Sequence, residues 1–318
     1  MENLVVFNQT VEEEEEEIAE NLFNRLPEEL IKTHIFSKIS EAKSLCFCSL
    51  VSKRFSSFVF QSKTVSIKIP RQIPNQQPYP TNRRTPAKYI SNLTIKFLAK
   101  LTSLRTLYVE FDCSVEGGGV ICSSCSSTNK EPVVKWKVDL SSASFVMIFA
   151  RTLNVDVEID DRIGTNFHRS IRPCFLNHLK DASLRFSLMK TLIRLLPKSL
   201  ENIVVTDSKK QGGMINHGGN EVVDVKKIKG FNVRNFLGGY GAIKYWHEKK
   251  PLKLPVSGIV MKRVAVIRYK ENWVDNPDDD LLVAKEAFKG EEEEVFGEAL
   301  KELLTIKNVD NGFMWVGI

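Results

Sequence analysis

The stretch from Asn21 to Lys63, NLFNRLPEELIKTHIFSKISEAKSLCFCSLVSKRFSSFVFQSK, constrains what this chain can fold into more than any other. Its apolar residues recur at helical spacing in three short runs. The first opens at Pro27, where a proline costs nothing because the missing N–H has no intrahelical partner at a helix start. Leu26, Leu30, Ile31, Ile35 and Ile39 then form one apolar stripe. Ser40 is placed to cap a second helix, Glu41 to about Leu50, that buries Ala42, Leu45, Cys46 and Ser49. A third helix begins near Ser52 and presents Phe55, Phe58 and Val59, with Lys53 and Arg54 on its polar side.

Helices this short do not stabilise themselves. Below about 70–80 residues the hydrophobic gain and the ordering entropy nearly cancel. Leu26, Leu30, Ile31 and Ile35 on one side, and Phe55, Phe58 and Phe60 on another, cannot all face one small interior. Part of that surface has to be covered by the rest of the chain or by a partner, so the segment reads as a docking module.

The run Leu26-Pro27-x-Glu29-Leu30-Ile31, then Ile35-Phe36, Leu45 and Leu50-Val51-Ser52-Lys53-Arg54-Phe55, resembles the F-box motif in order and in spacing. Phe55 stands where many members of that family carry Trp, and His34 precedes Ile35 at a position that is usually solvent-facing. The resemblance implies binding to the small acidic Skp-type adaptor, which in turn holds a cullin–RING ubiquitin ligase. By match to the motif, Leu26, Pro27, Leu30, Ile31, Ile35 and Phe36 are adaptor contacts, supported by Val51, Lys53 and Phe55.

The chain of 318 residues has room for one or two domains and a sizeable core. No apolar run approaches the ~18 residues of a membrane span; Phe145 to Ala150 is a buried strand or helix piece. The N-terminus is acidic, unlike a secretory signal, and the six scattered cysteines read as reduced thiols of the nucleus and/or cytoplasm. Residues 1–20 hold eight acids (Glu2, Glu12 to Glu17 and Glu20) and no base, a self-repelling block expected to be a disordered, solvated leader. Removing those eight negatives from the net +6 leaves +14 on the remainder. Ala42 to Val109 contains twelve bases and no acid, a field that speeds encounter with an acidic partner. Nucleic acid is the rival partner, but no helix-turn-helix, finger or RNA-binding signature accompanies the charge.

Pro70 to Pro86 carries five of the twelve prolines, a density that ends helix and sheet ladders. The division expected is an acidic leader over 1–20, an F-box over 21–65, a proline-rich linker or surface loop over 66–88 and an α/β target-binding domain over 89–318. In that last part, Tyr89 to Lys100 is a helical pattern followed by Leu101-Thr-Ser-Leu104-Arg-Thr-Leu107-Tyr-Val109, similar to a leucine-rich-repeat strand. A second copy follows a helical run over Ala182 to Leu195, as Leu196-Pro-Lys-Ser-Leu200-Glu-Asn-Ile203-Val-Val205. Val133 to Leu140, Val155 to Ile159 and Val260 to Tyr269 read as strands, and Glu291 to Leu304 as an amphipathic helix. The fold class is therefore α+β or α/β, a small three-helix F-box followed by an irregular leucine-rich-repeat-like domain.

Leu200 to Asp207, Lys244 to His247, Leu252 to Lys262 and Glu294 to Leu300 also resemble segments of a plant F-box group that includes the auxin up-regulated F-box proteins. No chemistry attaches to those segments. Cys122-Ser-Ser-Cys125 with Cys113 has half the spacing of a zinc site, and its fourth candidates, His168 or Cys174, are distant and unpaired. Gly238-Gly-Tyr-Gly241 lacks the rest of a dinucleotide fingerprint, and residues 278–280 are three aspartates at a helix start. No catalytic constellation, cofactor motif or paired Cys/His set for a RING is present. The sequence reads as a non-catalytic substrate receptor of a Skp–cullin–F-box ligase that holds a protein target near the charged enzyme, with no membrane partner. The alternatives are an adaptor-binding scaffold outside the cullin complex, or a basic nucleic-acid-binding protein.

Overall fold

The computed structural model of the chain describes residues 26–70, 90–112, 133–140, 144–153, 167–215, 221–226, 240–271, 287–289, 294–306 and 310–317. The acidic leader, most of the proline-rich segment, Cys113, Cys122, Cys125, the strand expected over 155–159, Gly238 and residues 278–280 lie outside these.

The first helical run, α1 over residues 28–38, starts where Pro27 places it. The Pro27 carbonyl accepts the N–H groups of Leu30 and Ile31 at 3.1 and 3.2 Å. The run is α-helical over Glu28–Leu30, widens to a π-type turn over Ile31–Ile35 and tightens to a 3-10 turn over Phe36–Lys38. Helix α2 spans Ala42–Val51 and α3 spans Lys53–Phe60. Helix α3 begins at Ser52 as expected, and the Ser52 side chain caps it by accepting the Phe55 N–H at 3.1 Å. Ser40 does not cap α2: Glu41 holds that position, and the Ser40 carbonyl instead accepts the Ser66 N–H at 2.7 Å. The turn between α1 and α2 is thereby tied to the first strand.

That strand, β1 (Thr64–Ile69), crosses the boundary expected at residue 66. It pairs in parallel with β2 (Thr106–Phe111), which pairs in parallel with β5 (Asn202–Asp207). The register lines up Val65, Leu107 and Ile203 in one row and Ile67, Val109 and Val205 in the next, all buried. Burial of Ile67 and Ile69 is what pulls residues 66–69 out of the linker and into the sheet. Each strand follows a helix through the same turn. The N–H groups of Ser62, Leu104 and Leu200 donate to the carbonyls three residues back at 3.0, 3.1 and 3.1 Å. Between strands, Arg105 and Thr106 donate to the Lys63 carbonyl, and Glu201 and Asn202 donate to the Arg105 carbonyl. The helices of the second and third units are α4 (Asn92–Ala99) and α5 (Phe167–Leu195), the latter far longer than the Ala182 to Leu195 run expected. Two such units are legible in the sequence; the structure stacks a third, α3–β1, beside them.

The rest of the chain departs from a single repeat-like domain. Strands β3 (Val133–Asp139), β4 (Ser144–Leu153), β6 (Gly212–Ile215), β8 (Tyr240–Glu248), β10 (Val260–Glu271) and β11 (Asp310–Gly317) form a second sheet in the order β11-β8-β10-β4-β3-β6. All its pairings are antiparallel except β3 with β6. The two-residue strands β7 (Val223–Asp224) and β9 (Leu252–Lys253) flank β5 and β10. On β4, Phe145, Met147 and Phe149 face α5 while Val146, Ile148 and Ala150 face α6 (Glu294–Thr305). Burial on both faces explains the unbroken apolar run at 145–150. The fold is α+β, with six α-helices and two sheets among the described residues.

Helix α5 lies between the sheets and carries the polar link joining them. Arg185, 2% exposed, donates from Nη1 to Asp207 Oδ2 at 2.9 Å and to the Gly212 carbonyl at 3.1 Å, and from Nη2 to Asp181 Oδ2 at 2.6 Å. Its guanidinium stacks between Phe111 of the first sheet and Trp136 of the second, 4.9 and 4.7 Å from their ring centres. Asp207 also accepts the N–H groups of Lys209, Gln211 and Gly212, fixing the turn from β5 into β6. Gly212 is required there, since a Cβ would stand 1.9 Å from the Trp136 ring. One turn before Asp181 and two before Arg185, His178 packs against Trp136. Burial lowers its pKa; Asp181 and Asp207 pull it upward while Arg185 lowers it further.

Arg185→Met leaves Asp207 buried without its counter-charge, a change expected to cost about 3–5 kcal/mol in urea unfolding at neutral pH. A loss under about 1 kcal/mol would show that the pair is not a joint between the sheets. For His178 the unfolded chain binds the proton more readily, so stability is fully present above the ordinary pKa of 6.5 and declines as pH falls toward the lowered folded value. His178→Asn is expected to flatten that part of the stability–pH curve, read by thermal unfolding across pH 5 to 8.

Candidate docking face

The three short helices bury one side and leave another bare. Ile31, Leu45 and Val59 are fully buried, and Phe36 meets Phe55 edge-on at 5.5 Å and Phe58 at 6.0 Å. On α2, Ala42 and Leu45 face inward, with Cys46 and Ser49 half-buried beside them. Opposite them Phe47, Leu50 and Val51 are 60%, 77% and 69% exposed. Leu26 and Leu30 at the start of α1 add two more exposed apolar side chains, the second 46% exposed. Five of the chain's exposed large apolar residues thus come from residues 26–51. Phe47, Leu50 and Val51 share one face of α2, and apolar residues grouped in this way mark an interaction site rather than the scatter of single residues that any surface shows.

The residues expected to make contacts therefore fall into two sets. Leu26, Pro27, Leu30, Val51 and Lys53 are exposed, and Ile35 and Phe55 are half-buried. Ile31 and Phe36, also expected as contacts, are sealed beneath the chain's own residues, because both point into the interior shared with α3 and the first sheet. Their part is to hold the face from below. Phe47 and Leu50 escaped the list of expected contacts, although their spacing with Val51, three and four residues apart, is that of one helical face.

The face is framed by cations and locally braced. Arg54 donates from Nη2 to the Leu26 carbonyl at 2.8 Å, fixing where the chain enters α1 against the start of α3. Arg54 and Lys32 both lie over the Phe58 ring, 5.7 and 5.2 Å from its centre, and Lys32 also reaches Glu28 at 3.5 Å. Lys43, Lys53, Lys63, Lys68, Lys96, Lys100 and Arg105, from the acid-free stretch, are all exposed. Among the described residues no group of three or more His, Cys, Asp or Glu could hold a metal ion, and no helix is long and apolar enough to cross a membrane. Cys174, a candidate zinc ligand in the sequence, is buried among apolar side chains.

Comparison with known proteins agrees with the resemblance of the chain to plant F-box proteins. The Arabidopsis thaliana "F-box protein AUF2" is 24% identical over 322 residues, covering 90% of this chain and 97% of its own length. The Arabidopsis thaliana "F-box protein AUF1" is 22% identical over 332 residues, covering 89% of this chain and 96% of its own. The chain is similar along most of its length to two plant proteins that are named as F-box proteins. No family model matches it, and no solved structure does. The similarity covers about nine-tenths of the chain and so runs well beyond residues 26–60.

Sealed and bare positions of the F-box helices are expected to separate in stability measurements. Ile31→Ala is expected to cost about 2–5 kcal/mol, as for other buried aliphatic truncations. Phe47→Ser and Leu50→Ser are expected to stay within about 0.5 kcal/mol of the parent, as exposed positions do. Urea unfolding of the three variants checks this, and a large loss at Phe47 or Leu50 would mean that the chain itself covers them.

Proposed function

We propose that this chain is the substrate-receptor subunit of a Skp–cullin–F-box ubiquitin ligase. The observation that carries the reading is the bare apolar set Leu26, Leu30, Phe47, Leu50 and Val51 on helices that carry the F-box motif. Leu30, Leu26 and Pro27 at the start of α1, with Val51 and Lys53 at the α2–α3 junction, contact a Skp-type adaptor. Ile35 and Phe55 border that contact, and Ile31 and Phe36 set its shape from within.

Behind the F-box, the stacked helix–turn–strand units form a short leucine-rich-repeat-like body, which the antiparallel sheet extends into a target-binding domain. The chain performs no covalent step. It holds a protein target close to the ubiquitin-charged enzyme, raising the effective concentration of target lysines. The activity belongs to the nucleus and/or cytoplasm, where thiols such as Cys46, Cys48 and Cys174 stay reduced.

Pull-down of a Skp-type adaptor and a cullin from plant extract tests the reading. Pro27→Ala with Leu30→Ala is expected to abolish recovery of both, because truncating anchors of an interface costs on the order of 2 kcal/mol or more each. Phe47→Ser with Leu50→Ser is expected to weaken recovery while leaving the chain folded. Full recovery by the first pair would overturn the assigned face, and recovery of adaptor without cullin from the parent chain would overturn the ligase role.

A further inference from the structure

We infer that the N-terminal leader of this chain is a tethered occupant of its own docking face, with Leu4 to Phe7 covering the Phe47, Leu50 and Val51 stripe and Glu12 to Glu17 lying against Lys43 and Lys53. The docking stands on charge, tether and apolar match. Its consequence, that the leader competes with the adaptor, rests on the function proposed above.

Charge is complementary on both sides. The leader carries six consecutive glutamates and no base before Arg25, while the stretch from Ala42 to Val109 carries no acid. Lys43 and Lys53 are exposed on α2 and α3, the two helices that bear or border the apolar stripe. The acids at this end are Glu28, Glu29 and Glu41; Glu28 is engaged by Lys32, and Glu41 accepts the Ser44 hydroxyl at 2.8 Å. Screening confines attraction to about 8 Å at physiological salt, so the acids act at contact and not from a distance.

The tether is anchored where it is needed. The Arg54 bond to the Leu26 carbonyl fixes the point of departure beside Lys53 and the end of α2. Residues 18–25 extend at most about 3.3–3.6 Å each, a reach of roughly 30 Å. Helix α2, ten residues long, spans only about 15 Å. Every position on the face is within range. A tether of this length gives an effective concentration on the order of millimolar, so an intrinsically weak contact is substantially occupied. The apolar half matches too: Leu4-Val5-Val6-Phe7 is the one apolar cluster of the leader's first half, and the stripe is the largest bare apolar group on the described helices.

Zero-length carbodiimide cross-linking of the full chain, followed by peptide mass spectrometry, tests the docking without any adaptor. Cross-links from Glu12–Glu17 to Lys43 and Lys53 are expected, lost in 0.5 M salt. An even spread over distant lysines such as Lys253, Lys262 and Lys301, or none, would overturn it. Competition is read from the association rate of a purified Skp-type adaptor. Val5→Asn with Phe7→Asn leaves the charge unchanged and is expected to raise that rate several-fold. A rate that rises only when the glutamates are changed to Gln, and not with the charge-neutral pair, would reduce the leader to a long-range field and overturn its docking. An adaptor that fails to bind any of these chains would count against the proposed function, with the cross-links still deciding the docking.

Discussion

The structure depends on one continuous apolar interior that joins the three short N-terminal helices to the parallel sheet. Ile31, Phe36, Leu45, Phe58 and Val59 belong to the same buried cluster as Val65, Leu107 and Ile203. Helices as short as α1, α2 and α3 cannot close a core alone, and here the first sheet closes it for them. The backbone repeats the message, since the Ser40 carbonyl in the turn between α1 and α2 accepts the Ser66 N–H of β1. A rigid backing of this kind explains why one side of the helical group can stay bare.

The same interior continues through α5 to the second sheet, where the physics changes from apolar packing to a buried charge pair. Arg185 contacts both sheets at once through Phe111, Asp207, Gly212 and Trp136. Such a group is costly to bury and is tolerated because two carboxylates and a carbonyl accept from its two terminal nitrogens. Glu298 plays a smaller version of this part at the surface. Its carboxylate accepts the N–H groups of Val256 and Ser257, fixing the loop between β9 and β10. Against the upward push of burial, those bonds hold its pKa below the ordinary carboxylate value. Body and docking face are thus held as one frame, which is what positioning a bound partner relative to a second one requires.

How much of this was legible in the sequence follows from the range of the interactions involved. The three helices were, because Pro27, Ser52 and the spacing of Leu26, Leu30 and Phe58 are local signals. The repeat strands at Leu107 and Ile203 were, because three-residue apolar spacing is also local. The third unit was missed: Ser62 takes the place of a leucine there, and proline-rich sequence begins at Pro70. The second sheet was missed as a separate layer because its pairings, such as Phe145 with Tyr269 or Gly241 with Val316, join residues far apart in the chain. At the docking face the motif marked Leu26, Leu30, Ile31 and Phe36 alike as contacts, and of these the structure exposes Leu26 and Leu30. It could not say that Ile31 and Phe36 turn inward, since that is decided by where the sheet lies.

Native-state hydrogen exchange tests the shared interior most directly. If the three short helices and the parallel sheet are one cooperative body, the amides of Leu45, Val59, Val65, Leu107 and Ile203 exchange with the same free energy, equal to that of global unfolding. Exchange of Leu45 and Val59 through a separate opening of much lower free energy, with the sheet still protected, would contradict it.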